Sequence, residues 1–115
     1  MTYSTIKKSN PVITMINVFA VEPEKQQEFL DAMRVHTDTV IRKIPGFIAS
    51  NFHRSLDGMR VVNYSQWESK EAFEAVHRDP EYLASREANK HLIISTDQHL
   101  YTVEFTCLID GIPQD

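Results

Sequence analysis

Residues 47–67, FIASNFHRSLDGMRVVNYSQW, decide the fold. Two runs rich in β-branched and aromatic residues, 47–55 and 59–67, flank Leu56-Asp57-Gly58. An Asp-Gly pair between such runs predicts a β-hairpin, because glycine accepts the positive φ that a tight turn needs. Period-two alternation then puts Val61, Asn63, Ser65 and Trp67 on one face of the second strand. Val62, Tyr64 and Gln66 fall on the other.

Upstream of the hairpin, Pro45-Gly46 ends a helical pattern over 24–44. In it Phe29, Leu30, Met33, Thr37, Val40, Ile41 and Ile44 recur at three- and four-residue steps, and Pro23 suits the first turn. Before that, VITMINVFAV at 12–21 predicts a first strand. Downstream, Ser69 is placed to cap a second helix over 70–78 that turns Ala72, Phe73 and Val76 inward. Asp79-Pro80 restarts the chain as cap and first helical residue of a third helix, about 81–90. The apolar run HLYTVEFTCLI at 99–109 predicts the last strand, with lone Cys107 in the core beside Val103 and Phe105. The order is β-α-β-β-α-β with its second helix split, an α+β chain of the ferredoxin-like split βαβ kind with an antiparallel sheet. One domain over 11–109 is expected, with an arm at 1–10 and a tail at 110–115.

Composition narrows the function. A chain of 115 residues supports one core without staples. A net charge of −4, and a third strand lacking a Lys/Arg-Gly-aromatic signature, argue against nucleic acid. One cysteine excludes internal disulfides and cysteine-built zinc or iron–sulfur sites. The three glycines form no phosphate-cradling loop. The five histidines have no metal-ligand spacing, so no metal is expected. No apolar run is long enough to span a bilayer, and with no leader core the protein is expected to be cytoplasmic. Both faces of the third and last strands are partly apolar. A helix-covered sheet buries only one face within a monomer, so a homodimer is expected to cover the other.

The stretch GFIASNFHRSLDGMRVVNYSQWESKEAF at 46–73 resembles the antibiotic biosynthesis monooxygenase family. The likeness runs over about 11–109. It includes INVFAVEPEKQQEF at 16–29, IPGF at 44–47, VVNYSQWES at 61–69 and SREA at 85–88. The resemblance implies a homodimer of ferredoxin-like subunits forming a dimeric α/β barrel, each with its own pocket between sheet and helices. It also implies an oxygenase that joins O2 to a phenol, anthrone or quinol of polyketide type without metal or flavin. A haem-degrading or other small-molecule enzyme of the same fold is a second possibility, and a non-catalytic ligand-binding dimer a third.

By the same resemblance, Asn63 and Trp67 match strand positions that line the pocket, and Arg86 matches a helix arginine with a pocket role. Phe73 stands where relatives carry a tyrosine, which removes a hydroxyl. Asn17 matches a first-strand asparagine of the haem degraders, but their iron-ligating histidine falls on Arg86 and their pocket tryptophan on Val76. A guanidinium offers iron no lone pair. Chemically, Trp67 could stack on a polycyclic ring, Asn63 could donate to a carbonyl or phenolate oxygen, and Arg86 could stabilise an anion. His36, three residues after Met33 and four before Val40, is a candidate base. Tyr82 on the third helix completes the candidate substrate-binding set with Phe73, His36 and Asn17. Each has an ordinary alternative: Trp67 as core, Asn63 as partner to neighbouring backbone, Arg86 as a solvated or ion-paired helix residue, His36 as a packing histidine.

Overall fold

The computed structural model describes residues 2–8 and 11–114. Four strands form one antiparallel sheet in the order β2-β3-β1-β4. They are β1 (Ile13–Ala20), β2 (Phe47–Arg54), β3 (Arg60–Trp67) and β4 (Ser95–Tyr101). Helices α1 (Gln26–Thr39), α2 (Lys70–Ala75) and α3 (Pro80–Asn89) cover one face. The split βαβ arrangement is as the sequence predicts, and the second helical segment is broken as expected. Ser69 Oγ accepts from the Ala72 N–H at 3.0 Å, and Asp79 Oδ1 accepts from the Tyr82 N–H at 3.0 Å. Those two caps start α2 and α3, satisfying donors a helix cannot pair internally.

The long first helix is shorter than its periodicity suggests. Residues 23–25 and 41–43 are single 3-10 turns flanking α1. The turn that follows depends on Gly46, whose φ is +92° and whose missing side chain makes room for α2. A Cβ there would lie 2.4 Å from Ala72 Cβ. The β2–β3 connection is the expected Asp-Gly turn. Asp57 accepts from the Met59 N–H at 2.9 Å and the Ser55 hydroxyl at 2.7 Å, and Gly58 takes φ +80°.

The last strand departs from the sequence reading. It lies at Ser95–Tyr101 rather than 99–109, and it is the polar stretch STDQHLY that pairs with β1. Its register explains this: Ser95 pairs with Ala20 and Tyr101 with Thr14, so β1 is nearly used up when β4 reaches Tyr101. Beyond that point the chain has no strand to pair with. The apolar residues that suggested a strand are exposed instead, Phe105 by 64% and Ile109 by 103%. Cys107 is exposed as well, not in the core. The segment closes with a two-residue turn in which Leu108 and Gly111 exchange backbone hydrogen bonds.

Between sheet and helices the apolar side chains form two clusters. One gathers Phe19, Val21, Phe29, Met33, Val61 and Leu92; the other gathers Met15, Ile44, Trp67, Phe73 and Val76. The two central strands contribute to both: Phe19 and Met15 on β1, Val61 and Trp67 on β3. Between those ends sit Asn17 on β1 and, on β3, Asn63 and Ser65. Polar residues at the middle of a helix-covered sheet face leave that region unfilled by apolar packing.

Candidate active site

A cavity of about 460 Å³ opens there, of a size that suits a small molecule. Asn17, His36, Asn63, Trp67, Phe73, Tyr82 and Arg86 all line it. The seven residues come from β1, α1, β3, α2 and α3 and are brought together by the fold. A larger, more open groove of about 880 Å³ runs along the free edge of β2 beside α1 and the N-terminal arm, and holds none of them.

The floor of the cavity is a polar ledge across all four strands. Asn17 and Asn63 are direct cross-strand partners, and Gln98 of β4 is the partner of Asn17 on its other side. Asn17 Nδ2 donates to Gln98 Oε1 at 3.2 Å, and the buried Asn17 Oδ1 has no partner. Ser50 of β2 donates to Asn63 Oδ1 at 2.7 Å. That bond fixes the amide so that Asn63 Nδ2, which has no protein acceptor among the described residues, is free to donate into the cavity. An unpaired acceptor and an unpaired donor thus sit on adjacent strands, where a ligand hydroxyl or carbonyl would satisfy both.

Trp67 forms one wall. It is 2% exposed and is packed edge-on by Phe47 and Phe73, with ring centroids 5.3 and 5.7 Å away. Its indole N–H donates to Ser65 Oγ at 3.0 Å, so the ring is locked and offers the cavity apolar surface rather than a donor. The core and pocket descriptions of Trp67 are both true of this side chain. Phe73 brings no hydroxyl; the phenol of the cavity belongs to Tyr82. Phe73, His77 and Tyr82 stack edge-on in series, with centroids 5.3 and 5.7 Å apart.

Burial raises the Tyr82 phenol above its ordinary pKa, and the nearby Arg86 guanidinium opposes that shift. Arg86 makes no ion pair among the described residues. Glu87 pairs with Lys90 instead, at 2.6 Å. The arginine therefore stands at the cavity as a cation with unclaimed donors. His36 is buried, its ring centroid 5.7 Å from that of Tyr82, and its Nδ1 lies 2.6 Å from Ser85 Oγ. Desolvation holds its pKa below the usual histidine value, so the ring is neutral near pH 7.

Sequence reasoning missed Ser50, Ser65, His77 and Gln98, all of which line the cavity. His77 was findable, being four residues after inward-facing Phe73 and so on the same helical face. Gln98 was hidden by the mistaken start of the last strand. Among the described residues, no three His, Cys, Asp or Glu side chains group as metal ligands. No helix among them is long and apolar enough to cross a membrane.

Known proteins share this architecture. Residues 12–88 match the antibiotic biosynthesis monooxygenase family. The chain is 48% identical over 77 residues to the tetracenomycin-F1 monooxygenase of Streptomyces glaucescens, covering 67% of this chain and 69% of that protein. Among solved structures it is similar to the Streptomyces coelicolor monooxygenase from ActVA-Orf6, bound to nanaomycin D. There the TM-score is 0.76 at 30% identity, over 84% of this chain and 90% of that one. SnoaB, a cofactor-independent oxygenase from Streptomyces nogalater, shares the fold with TM-score 0.69 at 23% identity, over 83% and 95% of the two chains. On the family match and on the identity to an established monooxygenase, the chain belongs to the antibiotic biosynthesis monooxygenase family and is a monooxygenase.

Proposed function

We propose that the protein is a homodimeric, cofactor-independent monooxygenase that uses O2 to oxidise an aromatic phenol, anthrone or quinol of polyketide type. The observation that carries this reading is the cavity itself: an apolar Trp67–Phe73 wall facing a ledge that offers one free donor and one free acceptor. A flat polycyclic ring with a hydroxyl and a carbonyl matches both surfaces. The relatives support the substrate class, one named for tetracenomycin F1 and another holding nanaomycin D. The fold's precedent in SnoaB, a cofactor-independent oxygenase, supports the absence of a cofactor.

The chemistry follows from an electron-rich substrate anion. Loss of a proton from an anthrone gives an enolate, which passes one electron to O2. Recombination of the carbon radical with superoxide forms a C–O bond and a peroxide. Loss of water from the protonated peroxide then leaves a quinone carbonyl. The protein binds, orients and stabilises charge. Asn63 Nδ2 donates to the substrate oxyanion, Arg86 balances negative charge, and Asn17 Oδ1 accepts from a second hydroxyl. Trp67, Phe73 and Tyr82 hold the ring.

Metal-free protein incubated with a dithranol-like anthrone should consume O2 and form the quinone in air, and do neither under argon. Absence of oxygen-dependent turnover across a panel of anthrones and quinols overturns the reading.

A further inference from the structure

The His36 ring makes one hydrogen bond among the described residues, through Nδ1 to Ser85 Oγ, which joins α1 to α3 beside the cavity. Its Nε2 has no protein partner among the described residues, and the ring lines the cavity. Two tautomers could make the Nδ1–Ser85 bond. If the serine hydroxyl donated, the ring proton would sit on Nε2, and the ring nitrogen without a protein partner would be a donor. If Nδ1–H donates to the serine oxygen, Nε2 carries only an unpaired lone pair. A substrate hydroxyl seated in the cavity can give its proton only to a free lone pair, which the second arrangement supplies and the first does not.

We propose that Ser85 is a positioning residue that holds His36 in the Nδ1–H tautomer, so that Nε2 takes the proton of the bound substrate's phenol or enol hydroxyl. This deepens the monooxygenase reading and rests on it. In the step the substrate O–H bond breaks and an Nε2–H bond forms. The products are a substrate oxyanion, facing Asn63 and Arg86, and an imidazolium whose Nδ1–H stays on Ser85 Oγ. The oxyanion is what reduces O2, and the proton returns to the peroxide oxygen as water leaves. Burial of His36 keeps the resting ring neutral, as a base must be.

Two measurements test this on the full chain. Nitrogen-15 NMR of the histidine rings above the histidine titration range should show Nδ1 protonated and Nε2 unprotonated at His36. A proton on Nε2 overturns the proposal whatever the activity. In steady-state assays with dithranol and O2, Ser85→Ala should lower kcat roughly tenfold at little change in KM, and Ser85→Thr should restore it. His36→Gln should lower kcat by roughly 10²-fold, the usual worth of a general base. In the His36→Gln background, Ser85→Ala should then change nothing further. Additive losses in that cycle, or an unaltered kcat in Ser85→Ala, overturn the positioning role while leaving the function intact. A wild-type protein that never turns over sinks the function, and the NMR result still decides the tautomer.

Discussion

Asn63 and Trp67 lie four residues apart on one face of β3, yet their removal should affect the protein in different ways. Trp67 is a core residue whose indole N–H is already bonded to Ser65, so Trp67→Ala should destabilise by about 3–5 kcal/mol. Any loss of turnover would accompany loss of the fold. Asn63→Ala removes one hydrogen bond, to Ser50, with a stability cost of about 1 kcal/mol. Its turnover of an anthrone should still fall by about 10²-fold, the cost of deleting one donor to a developing oxyanion. Denaturant melts beside steady-state kinetics separate the two, and equal stability losses would contradict this assignment. His36 gives a second residue-scale test. Its folded pKa is depressed, so the unfolded chain binds the proton first as the pH falls. Its contribution to stability is therefore complete above the ordinary histidine range and is lost on acidifying through that range toward the folded value. Melting temperature followed across those pH values should drop more steeply for wild type than for His36→Gln. Parallel curves would show that burial of the ring does not disfavour its protonation.

At the scale of elements, Gly46 shows how one backbone position sets the distance between β2 and α2. It combines a positive φ with a contact that no side chain fits. Gly46→Ala should destabilise by about 2–4 kcal/mol, strain and overpacking together. Chemical denaturation at unchanged m-value measures it, and an unshifted midpoint would refute the close-approach argument. The helix stop at Pro45-Gly46, the two helix caps, the Asp-Gly hairpin and the Asn63–Trp67 face were legible because each depends on residues near in sequence. Two features were not. A bulge between Phe47 and Ala49 changes the alternation of β2, so that Phe47 meets Trp67 while Ser50 faces Ser65 on the same side. Simple period-two counting turns Ser50 away from Asn63, and nothing in FIAS announces the extra residue. The position of β4 is likewise set by its partner, because the length of β1 decides where pairing stops. The seven candidate residues meet in one cavity because their positions follow from strand parity and helical steps. Ser50 and Gln98 depend on long-range register, and a single sequence does not display register.

For the whole molecule, the outer face of the sheet and the chain beyond β4 raise the same question. Ile16 and Val18 on β1 and Val62 and Tyr64 on β3 share the face opposite the helices, where all four are only partly covered. The N-terminal arm reaches this face at one end, where Gln66 Nε2 donates to the Thr5 carbonyl at 2.8 Å and Ser4 bonds Asn51. Phe105, Leu108, Ile109 and Ile112 extend from β4 with more than half their surface exposed. The radius of gyration is 15.1 Å, against about 13 Å for a compact chain of this length. A chain that places this much apolar surface outside its own core gains by burying it against another copy, and a stable interface needs roughly 1,600 Å² in total. Light scattering on the eluting protein should therefore give twice the 13.3 kDa chain mass. Val62→Lys puts a charge at the centre of the outer face and should yield monomers without touching the helix-covered side. Deleting 102–115 should weaken the dimer while leaving the monomer's two apolar clusters intact, since both lie within Met15–Leu100. Monomeric wild-type protein throughout the micromolar range would overturn the dimer. A dimer indifferent to both changes would place its interface elsewhere, with the groove along the free edge of β2 as the surface to test next.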